Sequence, residues 1–457
     1  MGFFQKGEGM EKSGFKEAWC KGDTITRSSF LLMGSGNFLR GQYLKGGAFL
    51  LVQIIYISIM LTSGFSILGM LPGLGEAAQQ EVWNEAKGIY EYTAGDQSLL
   101  ILLFGISILF LTIAFFIVYR ANVKSAYHAQ CLKEKGLMLP TFKQDAGELF
   151  DSKLHVLLLS APVTGVLIFT ILPLIFMIAM AFTNYSKIDQ HLILFDWIGL
   201  KNFAEVLDVS GDIGRQFWGV LGWTLTWAIF ATILNYVLGM MLAIVINRKE
   251  TKGKGFWRFC FILSIAVPQF VSLMIMRTML QPEGAVNILL RNMHLIEASA
   301  SLPFFTNPTW ARITVIIINL WVGIPFTMIQ VSGILQNIPS ELYESAKVDG
   351  ANAFTIFTKI TLPYMLFVTA PYLITTFMSN INNFNVIYLL SGGDPTPVGM
   401  SAGKTDLLVT WLYKLTIDKQ YYNLGAVIGI FTFVVLAIIS LLTYRNSQSY
   451  KDEEGFM

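Results

Sequence analysis

The residues worth weighing first are polar ones set in apolar runs. In INLWVGIPF (318–326), Asn319, Gly323 and Phe326 fall on roughly one helical face, with Val322 beside them and Trp321 and Pro325 close by. In TTFMSNINNFN (375–385), Thr376, Asn380 and Asn383 recur at i, i+4 and i+7, a single stripe. Amides and hydroxyls next to aromatic or apolar faces suit the hydroxyls and pyranose rings of a sugar. In a bilayer such groups are costly unless paired or lining a cavity. Buried Asn also bonds helix to helix, worth about 0.6 kcal/mol on average, and periodicity alone leaves the two roles level.

Catalytic and energy-coupling chemistry is poorly represented. Cys20, Cys131 and Cys260 are odd in number and far apart, which implies no disulfide framework, and His128, His155, His191 and His294 never fall at metal-ligand spacing. No Asp or Glu lies inside any predicted span. Ion-coupled carriers usually place an ionisable or ion-coordinating site near the midplane, so an ion-coupled secondary carrier is disfavoured. A polytopic enzyme acting on lipids or glycans would need an acid or histidine cluster at the interface, and none is found. GMSAGKT (399–405) looks like a phosphate loop. That motif needs four residues between its glycines so that backbone amides wrap the phosphates; here there are three, in a Pro/Gly-rich context, and an external turn accounts for it better. No metal and no bound cofactor are expected on this chain.

One polar segment is built more elaborately than a connector requires. In ELYESAKVDGANAFTIFTKITLP (341–363), Pro339-Ser340 supplies a helix start, with Ser340 as N-cap and Glu341 and Glu344 favourable for the dipole. Gly350 is suited to a left-handed C-cap. A second short helix follows, with Phe354, Phe357 and Ile360 as an apolar stripe, and Pro363 marks the next span. The product is a bent helix–glycine–helix elbow, which either links two spans as an interfacial helix or receives a partner.

These residues must be positioned by membrane helices. The chain has 457 residues, 54% hydrophobic and 14% charged, with mean hydropathy +0.56, against about 25% charged in a soluble domain. Eight spans are predicted, near 47–70, 98–119, 155–182, 219–246, 256–280, 311–333, 365–390 and 424–444. Residues 1–46 lack an apolar core near their start, so no cleaved signal peptide is expected. With the N-terminus inside, the tracts 1–46, 120–154, 247–258, 334–364 and the tail after 444 hold 22 Lys and Arg, and the outer loops hold eight. That asymmetry follows the positive-inside rule and puts both termini and the elbow in the cytoplasm. The expected organisation is all-α: a cytoplasmic tail (1–46), a transmembrane hairpin with its linker (47–154), a six-helix core (155–445) carrying the elbow at 341–363, and a cytoplasmic tail (446–457). Pro173, Pro268, Pro325 and Pro371 are expected to kink spans, and the Gly425/Gly429 spacing to serve close helix packing.

ESAKVDGANAFTIFTKITLP resembles the EAA-x3-G-x9-I-x-L-P signature of ABC-importer permeases, with Glu344, Ala346, Gly350, Ile360, Leu362 and Pro363 in register and Ser345 replacing the second-position Ala. AMAFTNYS (179–186), LQNIPSELYE (335–344), NNFNVIYLLSGGDP (382–395) and TDLLVTWLYKL (405–415) each resemble segments of the MalF-type permease of maltose/maltodextrin importers, over nearly all of 155–445. The resemblance implies that the elbow is a coupling helix seated in a cytoplasmic ABC ATPase dimer, where ATP and Mg are bound. It implies a MalG-like second permease, an extracellular sugar-binding protein, a multi-pass place in the bacterial cell membrane among its lipids, and no nucleic-acid partner. It places an oligosaccharide, first of all a malto-oligosaccharide, against Asn319, Val322, Gly323, Phe326, Thr376, Asn380 and Asn383, with Ile265 and Gln269 of the AVPQF segment. Galacto-oligosaccharides and raffinose-type sugars are the alternative cargo. Ile265 and Phe326 stand where the family has aromatic hydroxyls, which implies a retuned site. The outer tract 183–218 is short where enterobacterial members carry a large external domain. That shortness resembles Gram-positive forms, whose binding protein is usually a membrane-anchored lipoprotein.

Overall fold

The computed structural model describes residues 14–85, 87–92, 95–188, 191–248 and 250–445; the tails 1–13 and 446–457 lie outside the described residues. Among the described residues, seven helices are long and apolar enough to cross a membrane, and eight if one bent pair counts as a span. They match the eight predicted spans in order. By compactness the described chain forms two units, 14–185 with 191–197, and 186–188 with 198–445.

The first unit holds the spans Tyr43–Met70, Ser98–Glu134 and Leu154–Met180. The first two pack through Tyr56, whose ring stacks on Phe115 at 3.9 Å and whose hydroxyl lies 3.2 Å from that of Thr112. The second helix does not stop at 119, where the apolar run ends, but continues to Glu134. Its extension is amphipathic: Asn122, Val123, Ala126 and Gln130 are buried while Arg120 and Lys124 are exposed. What covers the buried face is the segment before the first span, folded as three short helices, Phe15–Lys21, Thr24–Ser28 and Ser35–Phe38. Arg40, almost wholly buried, pairs with Asp23 at 2.6 Å and donates to the carbonyls of Gly36 and Ala126. The loop between the first two spans departs from pure helix. Glu81–Asn84 and Ile89–Tyr92 form an antiparallel hairpin, stabilised by the cross-strand contact of Trp83 and Tyr90 at 4.9 Å.

The second unit is organised on the helix Asp212–Asn247. Small residues line its packed faces: Ala228, Ala231 and Ala243 are fully buried, and a Cβ on Gly239 would lie 2.6 Å from that of Thr327. Such residues let helix backbones approach closely in lipid. Against it pack Pro308–Leu335 and Leu362–Ile381. Two apolar clusters result, one around Trp223, Trp227, Leu273, Val315 and Ile387, the other around Tyr236, Met240, Met328, Val331 and Met365. The last span, Tyr422–Thr443, brings Gly425 against Thr416.

Two predicted spans are not straight. The stretch 256–280 forms two helices, Lys254–Ala266 and Gln269–Met279, bent by 86°. Val267 is extended (φ −78°, ψ 126°) and precedes Pro268, as the clash of a proline ring with an αR predecessor dictates. The stretch 365–390 is interrupted at Asn382-Asn383, where Leu362–Ile381 ends and Phe384–Leu390 begins. Pro325 and Pro371, by contrast, sit inside helices that continue through them, and Pro173 follows a π-turn at Leu167–Ile171.

Candidate functional site

The elbow forms as the sequence predicts, with two local differences. The first helix is Ser340–Val348, and its N-cap is Pro339 rather than Ser340, without a side-chain cap. Gly350 takes φ +75°, and the Ala351 amide donates to the Ala346 carbonyl at 2.9 Å while the Gly350 amide donates to Lys347 at 3.1 Å. This is a Schellman-type stop. Asn352 caps the next turn through the Thr355 amide at 2.8 Å. Ala353–Ile356 then runs through a π-turn (Phe357–Thr361) straight into Leu362 and Pro363, so the second limb is the N-terminal end of the seventh span.

Packing divides the elbow's residues. Phe357, Ile360 and Leu362 pack on the Tyr236–Met365 cluster, and the Tyr343 hydroxyl lies 3.1 Å from that of Thr361, tying the limbs together. Phe354 does not join that stripe. It is 74% exposed, with Val348 at 87%, and Leu342, Glu344 and Ser345 exposed as well; Ala346 is half-buried. A Cβ at Gly350 would meet nothing within 4 Å among the described residues. The bend therefore presents small and apolar groups outward around a glycine required by conformation, not by crowding.

Both polar stripes face the helix Asp212–Asn247, one at Thr232 and the other at Asn235. Asn380 is buried; its amide donates to the Thr232 hydroxyl at 3.0 Å, and its backbone carbonyl accepts from the Trp227 indole at 3.0 Å. Asn383 is not on the same helix. It caps Phe384–Leu390, accepting from the Val386 amide at 3.2 Å, and its own amide lies 3.5 Å from the Asn380 side-chain oxygen. Thr376 is half-buried on the preceding helix. Asn319 is buried, and its Nδ2 has no partner among the described residues; nor has Oδ1 of buried Asn235. Val322 is half-buried and Phe326 half-exposed, while Ile265 and Gln269 flank the 86° bend, both half-buried.

Gly323 faces Asn235 directly, since a Cβ there would fall 2.3–2.5 Å from that side chain. Gly323→Ala is therefore expected to destabilise the protein by about 1–3 kcal/mol through overpacking, seen as a lowered melting temperature in detergent. Adding Asn235→Ala should recover most of that loss; no recovery would mean that Gly323 is required for another reason. Sequence patterning alone did not single out Asn235, Thr232 or Tyr236. Their signal was Asn-Tyr in the middle of the apolar run ATILNYVLGMML (231–242), whose neighbours are set only by the crossing of three helices.

The tract 391–406 is a folded cap rather than a loose turn. Gln216 Oε1 accepts from the Ser401 and Ala402 amides at 2.8 and 2.9 Å, and the Gly403 amide donates to Asp406 at 2.7 Å. The Lys404 amide donates to the Pro395 carbonyl at 2.9 Å. The amides of Ser401, Ala402, Gly403 and Lys404 within GMSAGKT are thus engaged inside the protein. Asp406 is fully buried, 2.6 Å from the Lys414 ammonium and accepting from Thr410 at 2.9 Å. Burial pushes its carboxyl above the usual range, against the pull of Lys414 and these donors. Arg312 stacks over the Trp223 ring at 4.6 Å and donates to the Lys404 carbonyl at 2.9 Å.

Residues 235–449 match the family described as the binding-protein-dependent transport system inner membrane component. The chain is 34% identical to the galactooligosaccharides transport system permease protein GanP of Bacillus subtilis, over 93% of this chain and 97% of that protein. It is 33% identical to the maltodextrin transport system permease protein MdxF of the same species, over 93% and 95%. To the maltose/maltodextrin permease MalF of Salmonella typhimurium it is 35% identical, over 55% of this chain and 49% of that protein. A solved bacterial ABC transporter involved in alginate import contains a chain that covers 66% of this one, with 98% of its own length, at 26% identity and a TM-score of 0.53. With the spans, the elbow and these likenesses together, the chain belongs to the inner-membrane permeases of binding-protein-dependent transport systems, as a multi-pass ABC-importer subunit that moves solute and is not itself an enzyme.

Proposed function

We propose that this permease carries malto-oligosaccharides inward as one half of a translocation path. The third to eighth spans form its core, and a second, homologous permease supplies the other half. Both termini and the elbow lie in the cytoplasm. An extracellular sugar-binding protein delivers the cargo, and a cytoplasmic ATPase dimer, which holds ATP and Mg, closes on the elbow at Glu344, Ser345, Ala346 and Gly350. The observation that carries this is the elbow itself: an outward-facing, glycine-bent knob whose other limb is the root of a span. Motion imposed on Ser340–Val348 passes through Ile360, Leu362 and Pro363 into the helix that bears Thr376 and Asn380.

The sugar meets Asn319, Gly323, Val322 and Phe326 on one helix, Thr376, Asn380 and Asn383 at the break in the next, and Ile265 and Gln269 at the bend. The Asn235 oxygen and Asn319 amide support this placement, because buried polar atoms without partners are uncommon and a hydroxyl would satisfy both kinds. A galacto-oligosaccharide is the second candidate cargo, favoured by the likeness to the galactooligosaccharide permease at 34% identity. Stimulation of ATP hydrolysis in the reconstituted complex by binding proteins loaded with α-glucans or β-galactans decides between them.

Asn383→Ser separates sugar contact from helix capping. Serine caps about as well as asparagine but lacks the amide. We expect normal assembly and a KM for uptake raised by about tenfold, the value of one lost hydrogen bond of about 1.4 kcal/mol. Unchanged KM and kcat would remove Asn383 from the site.

A further inference from the structure

The turn Arg27–Met33, RSSFLLM, is held by side chains of the first two spans. Gln53 accepts from the Met33 amide at 2.7 Å and donates to the Leu31 carbonyl at 3.0 Å. The Tyr119 hydroxyl donates to the Phe30 carbonyl at 2.9 Å. Asn122 accepts from the Gly34 amide at 2.8 Å and donates to the Ser29 carbonyl at 3.1 Å. Backbone near hydrocarbon must have its polar groups satisfied internally in this way.

The same contacts fix the depth of the turn. Tyr56 stacks on Phe115, so Gln53, about one turn before Tyr56, and Tyr119, about one turn after Phe115 on the returning helix, stand at one level. That level is the end of the apolar run 98–119, immediately before the exposed Arg120. The leucines of the turn point away from the bundle: Leu31 is 86% exposed and Leu32 51%. Trp19, 60% exposed, is T-stacked on Phe30 at 5.0 Å. Around them Lys16, Lys21, Arg27, Arg120 and Lys124 are exposed, and the stretches 14–45 and 119–135 together hold nine Lys and Arg against three Asp and Glu.

We propose that this turn is an interfacial wedge, with Leu31 and Leu32 seated in the boundary between acyl chains and headgroups of an anionic leaflet and the surrounding cations facing its phosphates. Apolar side chains, an aromatic ring and a cationic rim at one depth are what such a surface takes up. The N-terminal helices are then a membrane-seated clamp on the second span. Only the choice of the cytoplasmic leaflet rests on the orientation proposed above.

The test uses full-length protein in nanodiscs of mixed anionic and zwitterionic lipid, with Cys20, Cys131 and Cys260 replaced by serine. A nitroxide is placed by Leu31→Cys, by Ile113→Cys as the lipid-facing reference and by Lys135→Cys as the water reference. Position 31 is expected to show oxygen accessibility several-fold above that to a water-soluble nickel chelate, as at 113. A ratio like that at 135 overturns the wedge. In sealed proteoliposomes of determined sidedness, an impermeant thiol reagent applied to the face that bears the binding-protein side should leave Lys135→Cys unlabelled. Labelling there would overturn the cytoplasmic leaflet while leaving the depth result standing.

Discussion

Gly350→Pro should abolish sugar uptake by the assembled importer. Gly350 sits at φ +75°, and proline is locked near −65° and lacks the amide that bonds the Lys347 carbonyl. Forcing the turn costs about 3 kcal/mol or more, roughly a hundredfold in occupancy of the native elbow. Because nothing among the described residues stands within 4 Å of a Cβ there, the loss within this chain comes from the backbone conformation and the missing amide rather than from crowding at Cβ. Gly350→Asn, whose side chain tolerates the left-handed region, should keep the fold of the elbow. Uptake and ATPase stimulation, measured side by side in proteoliposomes, check this: the proline variant should lose both or hydrolyse without transport. Full uptake by Gly350→Pro would remove the elbow from the mechanism.

Asp406→Ala should be the most destabilising single change in the cap formed by 391–406. It removes the acceptor for the Lys414 ammonium, the Gly403 amide and the Thr410 hydroxyl at once. Breaking a buried pair from one side typically costs 3–5 kcal/mol, so a lowered yield and an early thermal transition in detergent are expected. Asp406→Leu combined with Lys414→Met should be far milder, since an apolar pair of similar volume often replaces a buried ion pair without loss. Equal damage from the single and double variants would mean that the cap depends on the carboxylate for more than this pairing.

The spans and the elbow were legible because each is written locally. Apolar length sets a span, and a glycine before Ala-Asn at the end of a helix sets a left-handed stop whatever surrounds it. The break at Val267-Pro268 was half legible, since proline predicts a disturbance but not its 86° angle, which depends on what the two halves pack against. Asn383 shows the limit of periodicity. Its i+7 spacing from Thr376 assumes an unbroken helix, and two polar residues at the break let the chain restart with Asn383 as a cap. Gly323 and Asn235 lie 88 positions apart in the chain, and nothing in either stretch announces their contact. The covering of the second span's polar extension was illegible for the same reason. Nothing local pairs Arg40 with Asp23, 17 positions away; three short helices bring them to 2.6 Å, with the Arg40 side chain buried.

The central claim is that this chain holds no energy source and is driven through Ser340–Pro363 by a separate ATPase. Its most direct test is sugar accumulation in proteoliposomes holding the whole importer, with and without enclosed ATP, beside vesicles holding this chain alone under imposed proton and sodium gradients. The account predicts accumulation only in the complete, ATP-loaded vesicles, lost with Gly350→Pro. Accumulation by the chain alone, or by the complex without nucleotide, would contradict it.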